Sequence, residues 1–472
     1  MASQTPISPA RLLSKTSHVL PGALHVTELH FEVPLDHASP SGQKISLFAR
    51  SARKDERPIV PFSATEKENK DKKPYIVYLE GGPGFGCSEP QDHSLTRHAL
   101  DRGYQVLFLD YRGTGLSTRI DPRRVGAMGS PEEQARYLSM FRADSIVKDL
   151  EAVRLCLTSG WELELQTWSI FGQSFGGFVC LSYLSKYPQG LREVFMTGGL
   201  APIKRTPEEV YLALYKKVIE RNEAYYKKYP EDISNVKAVA RHILTGGPGQ
   251  RLPGGGYLTI DRLLGLGMSF GLHGGIDAVH SIILSLAMDL KQYNAFSTST
   301  LMSLERQVPL DANPIYAFLH EPIYCAKPGD AANHAAFRAG QNFEQFSWLR
   351  PGIISVSEDH SPLYFSGEMI YPSYYSSYPE LEHIKDAAQI LAQKSDWPEL
   401  YDEDQLRRNE VPVFAVSFVD DMYVDFEFAR ETARIVKGIQ VSETNRLYHN
   451  ALRARSDEIF AQLFKMRDEE LD

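Results

Sequence analysis

Six residues, Gly172-Gln173-Ser174-Phe175-Gly176-Gly177, leave the chain around them few options. An apolar segment, 168–171, runs into them, and a helix-like apolar run, 178–186, leaves them. A strand that turns sharply into a helix with serine at the apex is the setting of a nucleophile elbow, in which a strained turn lifts a hydroxyl clear of its surroundings. Glycines two before and two after the serine suit such a turn, because a β-carbon there would crowd the neighbouring strand or helix. The pattern alone is common in loops. Whether Ser174 is a nucleophile depends on its company.

That company begins upstream. Segments 26–33 and 44–50 alternate apolar and polar residues, as half-exposed strands do. Residues 1–20 read as a loosely held lead-in and 53–74 as an exposed, charged loop. Short apolar runs at 75–79, 105–109, 168–171 and 193–197 read as buried strands, and 145–157 has helical spacing. Buried strands alternating with helices predict a mostly parallel, doubly wound α/β sheet over residues 1–202. From 203 to 410 the rhythm stops. Helical patterns at 208–226, 233–244, 276–290, 312–318 and 381–393 predict a helical inserted domain. The glycine-rich run 246–256 lacks both the lysine and the preceding strand of a phosphate-binding loop. The α/β rhythm resumes over 411–472, with a strand at 411–418, a last strand at 444–447 and a closing helix at 457–466.

Composition excludes several classes. The net charge of −9 argues against a nucleic-acid partner, which needs a basic surface. The most apolar stretch, 263–276, is broken by glycines, Ser269 and His273, so no membrane span is expected. Four scattered cysteines form neither a zinc pattern nor a disulfide framework. With no secretory leader pattern at the start, the reading is a cytoplasmic enzyme needing no metal or cofactor, either monomeric or a homo-oligomer.

Each remaining piece of chemistry falls just past a predicted strand, where open α/β sheets build their sites. Ser174 comes first, then the pair Asp420-Asp421, then His449. Nucleophile, acid, base is the order of the α/β-hydrolase triad. The serine needs a base to take its proton, and the base needs a carboxylate to fix its tautomer. Either aspartate could serve, the other forming the turn. Oxyanion donors are expected from the N–H of Phe175 and from the loop Glu80-Gly81-Gly82-Pro83-Gly84, with Gly82 the donor. Asp110-Tyr-Arg112-Gly-Thr-Gly115 shapes a loop beside the pocket.

Together these motifs resemble the prolyl aminopeptidases (proline iminopeptidases), in the longer branch with a large helical cap. The likeness rests on Gly-Gly-Pro-Gly after one strand, Asp-x-Arg-Gly-x-Gly-x-Ser after the next, the Gly-Gln-Ser-Phe-Gly-Gly elbow, and Asp-Asp-Met-Tyr before a late Tyr-His. It selects Asp421, the aspartate before methionine, as the acid. It also implies release of N-terminal proline from peptides, with cap glutamates holding the substrate's amine. Glu321 and Glu368 match that description, and Tyr324, Tyr371, Tyr374 and Tyr375 could wall a slot for the proline ring. Without the family, each glutamate reads as a surface or structural residue and each tyrosine equally as cap core. Two departures bear on specificity: Glu80 stands where shorter members carry histidine, and Phe175 where they often carry tryptophan.

Two other readings share these residues. An esterase, lactonase or amidase on the same frame would not need the cap carboxylates. A non-catalytic ligand-binding protein would not need an intact Ser174, Asp421 and His449.

Overall fold

Nine strands form one mixed sheet in the order β1-β2-β3-β5-β4-β6-β7-β10-β11 in the computed structural model, which describes residues 6–56, 59–63, 66, 72–246, 249–350 and 361–469. The strands are β1 (Arg11–Leu20), β2 (Leu24–Pro34), β3 (Lys44–Lys54), β4 (Tyr75–Leu79), β5 (Gln105–Asp110), β6 (Trp168–Gln173), β7 (Leu191–Thr197), β10 (Val413–Phe418) and β11 (Ile439–Thr444). A hairpin, β8 (Gln250–Arg251) with β9 (Tyr257–Leu258), stands apart. β1, β2, β3 and β5 pair antiparallel in turn. From β5 to β11 the neighbours are parallel. The charged loop expected at 53–74 and the glycine-rich run at 246–256 lie partly outside the described residues.

The central strands are apolar on both faces because both faces are covered. In β4, Val77 and Leu79 face the core that holds Ile146, Leu150 and Val179, while Ile76 and Tyr78 face a second core with Leu95, Phe460 and Phe464. The first core rests on helices Ala143–Leu157 and Phe175–Lys186, the second on Ser94–Leu100 and Ser456–Asp468. Phe171, wholly buried in the second core, stacks on Phe195 and packs at a tilt against Phe460. Burying a side chain of that size contributes about 1.5–3 kcal/mol.

Between β7 and β10 the chain leaves the sheet and builds a mainly helical cap, inserted between Ser174 and Asp421. Its first helix, Pro207–Lys228, buries Val210, Tyr211, Leu214, Tyr215, Val218 and Tyr225 at spacings of three and four, the stripe that packs on a core. It starts where Thr206 accepts from the Glu209 N–H and Glu209 returns the bond, and it ends on Lys227 and Lys228, which suit the dipole. Among the described residues no helix is long and apolar enough to cross a membrane.

Two expectations are corrected. Residues 11–20, expected to be a loose lead-in, form β1, paired antiparallel to β2 along its length. Nearly all of β1 is exposed, so it carries no apolar alternation to reveal it. The last strand is Ile439–Thr444 rather than 444–447. It is a half-buried edge strand held by pairing with β10, and residues 445–448 are the loop that carries the chain onward to His449.

Candidate active site

The elbow is built by close backbone contact. Ser174 sits between β6 and the helix Phe175–Lys186 with φ 55° and ψ −123°, a conformation that costs a non-glycine residue on the order of 1–3 kcal/mol. The surroundings hold it there. A β-carbon on Gly176 would lie 2.0 Å from the Leu79 carbonyl oxygen, and one on Gly172 would lie 2.4 Å from that of Gly176. The Ser174 N–H donates to the Thr197 carbonyl of β7, 3.0 Å away, which ties the apex to the sheet.

Ser174 Oγ lies 2.8 Å from His449 Nε2, and His449 Nδ1 lies 2.7 Å from Asp421 Oδ2. The other carboxylate oxygen of Asp421 accepts from the N–H groups of Tyr423 and Val424 at 2.8 and 3.1 Å. Asp421 is thus held by its own turn and buried. Asp420 points outward, 45% exposed, and pairs with Lys217 at 3.7 Å. The structure separates the two aspartates that the residues alone left open. Burial by itself would lower the His449 pKa, but the charge and hydrogen bond of Asp421, with Glu368 adding, outweigh it and hold the imidazole above its ordinary value.

The loop after β4 lies against the elbow, where a β-carbon on Gly81 would meet the Gln173 side chain at 2.6 Å and Ser174 Cβ at 3.3 Å. The Gly81 N–H donates to Glu80 Oε1 at 2.9 Å. Gly81 and Gly82 both line the cavity. The Phe175 side chain is buried near Tyr111 and Phe178 and does not line the cavity. Glu80 is buried and its carboxyl is raised by that burial, against the opposing pull of Arg453 and its hydrogen bonds.

Ser174 and His449 open into a cavity of about 240 Å³ whose walls include Gly82, Met268, Leu310, Tyr316, Glu368 and Tyr423. Glu368 is its cap-side carboxylate. It accepts from the Tyr316 hydroxyl and lies 3.4 Å from His320 Nε2.

A family profile for the alpha/beta hydrolase fold matches residues 74–238. Proline iminopeptidase aneH of Aspergillus aculeatus is 37% identical over 472 residues, all of both chains. The proline iminopeptidase of Aeromonas sobria is 36% identical over 96% of this chain and 99% of its own. This chain belongs to the proline iminopeptidase family. A solved structure, the proline iminopeptidase of Mycobacterium smegmatis, aligns over 96% of this chain and 97% of its own at 13% identity and a TM-score of 0.39.

Of the cap residues that likeness to proline iminopeptidases had suggested, the structure brings only Glu368 to the cavity. Glu321 is buried elsewhere. Its carboxylate accepts from the N–H groups of Ala335 and Ala336 at 3.2 and 2.9 Å, at the start of helix Ala335–Gly340. Burial pushes its pKa up to about 7 despite those bonds. Tyr371 bonds the Tyr215 hydroxyl at 3.0 Å and packs edge-on to Trp348 and Tyr374. Tyr324 packs edge-on to Phe178, Tyr211 and His320. These three are cap interior, and Tyr374 and Tyr375 are buried outside the cavity wall as well. The tyrosines that do wall the cavity, Tyr316 and Tyr423, were missed, although Tyr423 stands two residues after Asp421. Arg112 of the Asp-x-Arg-Gly motif is wholly buried, bidentate to Asp149 at 2.6 Å. It braces the loop after β5 and takes no place in the cavity.

Proposed function

We propose that this protein is a serine aminopeptidase that releases N-terminal proline from peptides, with Ser174 as nucleophile, His449 as base and Asp421 as the carboxylate that orients it. Ser174 Oγ attacks the prolyl carbonyl as His449 Nε2 takes its proton. The N–H groups of Gly82 and Phe175 receive the oxyanion. His449 then gives the proton to the leaving nitrogen, and water hydrolyses the prolyl ester by the same relay.

One observation carries the substrate class: the cavity that holds Ser174 and His449 has Glu368 as its cap-side carboxylate, while the other glutamate in its wall, Glu80, lies beside Arg453. A prolyl amine is cationic, and burying it needs an ionised partner. An esterase would have no use for that charge beside its serine. Full-length similarity to proline iminopeptidases supports proline. The free thiols of Cys87, Cys156, Cys180 and Cys325 support a cytoplasmic setting.

Proline arylamide, its N-acetyl derivative and an aryl acetate test the reading together. Turnover of the first, blocked by acetylation and absent in Ser174→Ala, is the expected result. Turnover of the aryl acetate alone would overturn it.

A further inference from the structure

The cavity has a second charged group that the reaction above leaves unused. Arg453 lines it together with Ser174, His449 and Glu368. Its side chain is 74% exposed, and its nearest carboxylate, Glu80, lies 3.6 Å away, an ion pair without a hydrogen bond among the described residues. Glu80 Oε1 already accepts from Gly81 N–H at 2.9 Å and from the Tyr78 hydroxyl at 3.3 Å. The guanidinium is therefore oriented by charge while its donors remain open to a ligand.

Its position along the chain says which part of a substrate it meets. His449 Nε2 must reach the leaving nitrogen to protonate it, so the leaving group lies against the segment His449 belongs to. That segment continues through Asn450, Leu452 and Arg453, all in the cavity wall. It is also pinned to the cap, because Asn450 Oδ1 accepts from His273 N–H at 2.9 Å. In a dipeptide the α-carboxylate is separated from the leaving nitrogen by a single carbon. A carboxylate there falls within the sweep of an arginine rooted four residues past the base.

We propose that Arg453 is a specificity residue that receives the free α-carboxylate of the leaving amino acid, so that the enzyme favours prolyl dipeptides over longer or amidated substrates. The inference rests on the aminopeptidase reading. It gives the cavity two recognition charges of opposite sign: Glu368 for the substrate's amine and Arg453 for its carboxylate. Arginine suits this task because its planar fork matches a carboxylate in two parallel hydrogen bonds.

The test compares Pro-Gly, Pro-Gly-amide and proline arylamide with wild type, Arg453→Met and Arg453→Lys. Wild type should prefer the dipeptide over its amide by about tenfold in kcat/KM, chiefly through KM. Arg453→Met should erase that preference while arylamide turnover stays within about twofold of wild type, and Arg453→Lys should restore part of it. Equal losses on dipeptide, amide and arylamide would mean that Arg453 only supports the fold, and would overturn the proposal. So would a wild type that treats dipeptide and amide alike. If wild type turned over none of the three, the aminopeptidase reading would fall first and this inference with it.

Discussion

Ser174, His449 and Asp421 are three residues, but each fails differently when changed. Ser174→Ala removes the hydroxyl that pairs with His449 Nε2, and kcat should fall by about 10⁴–10⁶-fold with the fold intact by circular dichroism. Asp421→Asn keeps the shape but loses the charge that sets the tautomer, and about 10⁴-fold in kcat should go with it. The raised His449 pKa fixes the sign of a pH effect. The base works only when neutral, so kcat/KM should climb with pH through a value above the ordinary 6.5 of histidine, and an acid limb at or below 6.5 would contradict the geometry. Glu368→Gln should cost about ten- to a hundredfold in kcat/KM on proline arylamide, since a buried cation loses its charged partner. That these three side chains meet was legible because each sits in a motif just past a strand. The cavity walls were legible only in part: Glu368 was named through the family likeness together with Glu321, whereas Tyr316 and Arg453 were not, and only tertiary packing says which cap glutamate faces the serine and which one, Glu321, caps a helix.

Elements show the same division between local and long-range signals. Strands buried on both faces, such as β4 and β6, announce themselves as apolar runs. β1 and β11 do not, because an exposed or half-buried edge is held by backbone pairing that leaves little mark on side-chain choice. The elbow glycines are a backbone matter too. Gly176→Ala would place a methyl 2.0 Å from the Leu79 carbonyl, with no flexible side chain to give way. A loss of at least about 2 kcal/mol in urea denaturation is expected, together with lost activity. Glu321 adds a pH signature to helix Ala335–Gly340. Its pKa rises from 4.5 to about 7 on folding, so the folded state holds a proton that the unfolded state releases between those values. Stability should therefore fall as pH rises through that window. Glu321→Gln should flatten this part of the curve, and identical pH dependence in the two proteins would refute the assignment.

At the scale of the whole molecule, the cap is fastened rather than hinged at one point. Arg142, wholly buried at the start of helix Ala143–Leu157, donates to the Cys325 and Pro398 carbonyls of the cap at 2.8 and 2.5 Å. It also stacks over Trp397, with the guanidinium 4.6 Å from the ring centre. Arg142→Ala would orphan two buried carbonyls and empty a large site, and about 3–5 kcal/mol of stability should be lost in chemical denaturation, with KM rising as the cap loosens. The inserted cap has a consequence for synthesis as well. Ser174 and His449 touch across a sequence separation of 275, and β7 finds its partner β10 only after the whole cap has emerged. The entropic charge for so long a detour is small, because closure grows only with the logarithm of loop length. The detour in time is not. A nascent chain still on the ribosome carries its serine for 275 residues before the base is made, so no unfinished molecule can cut a peptide.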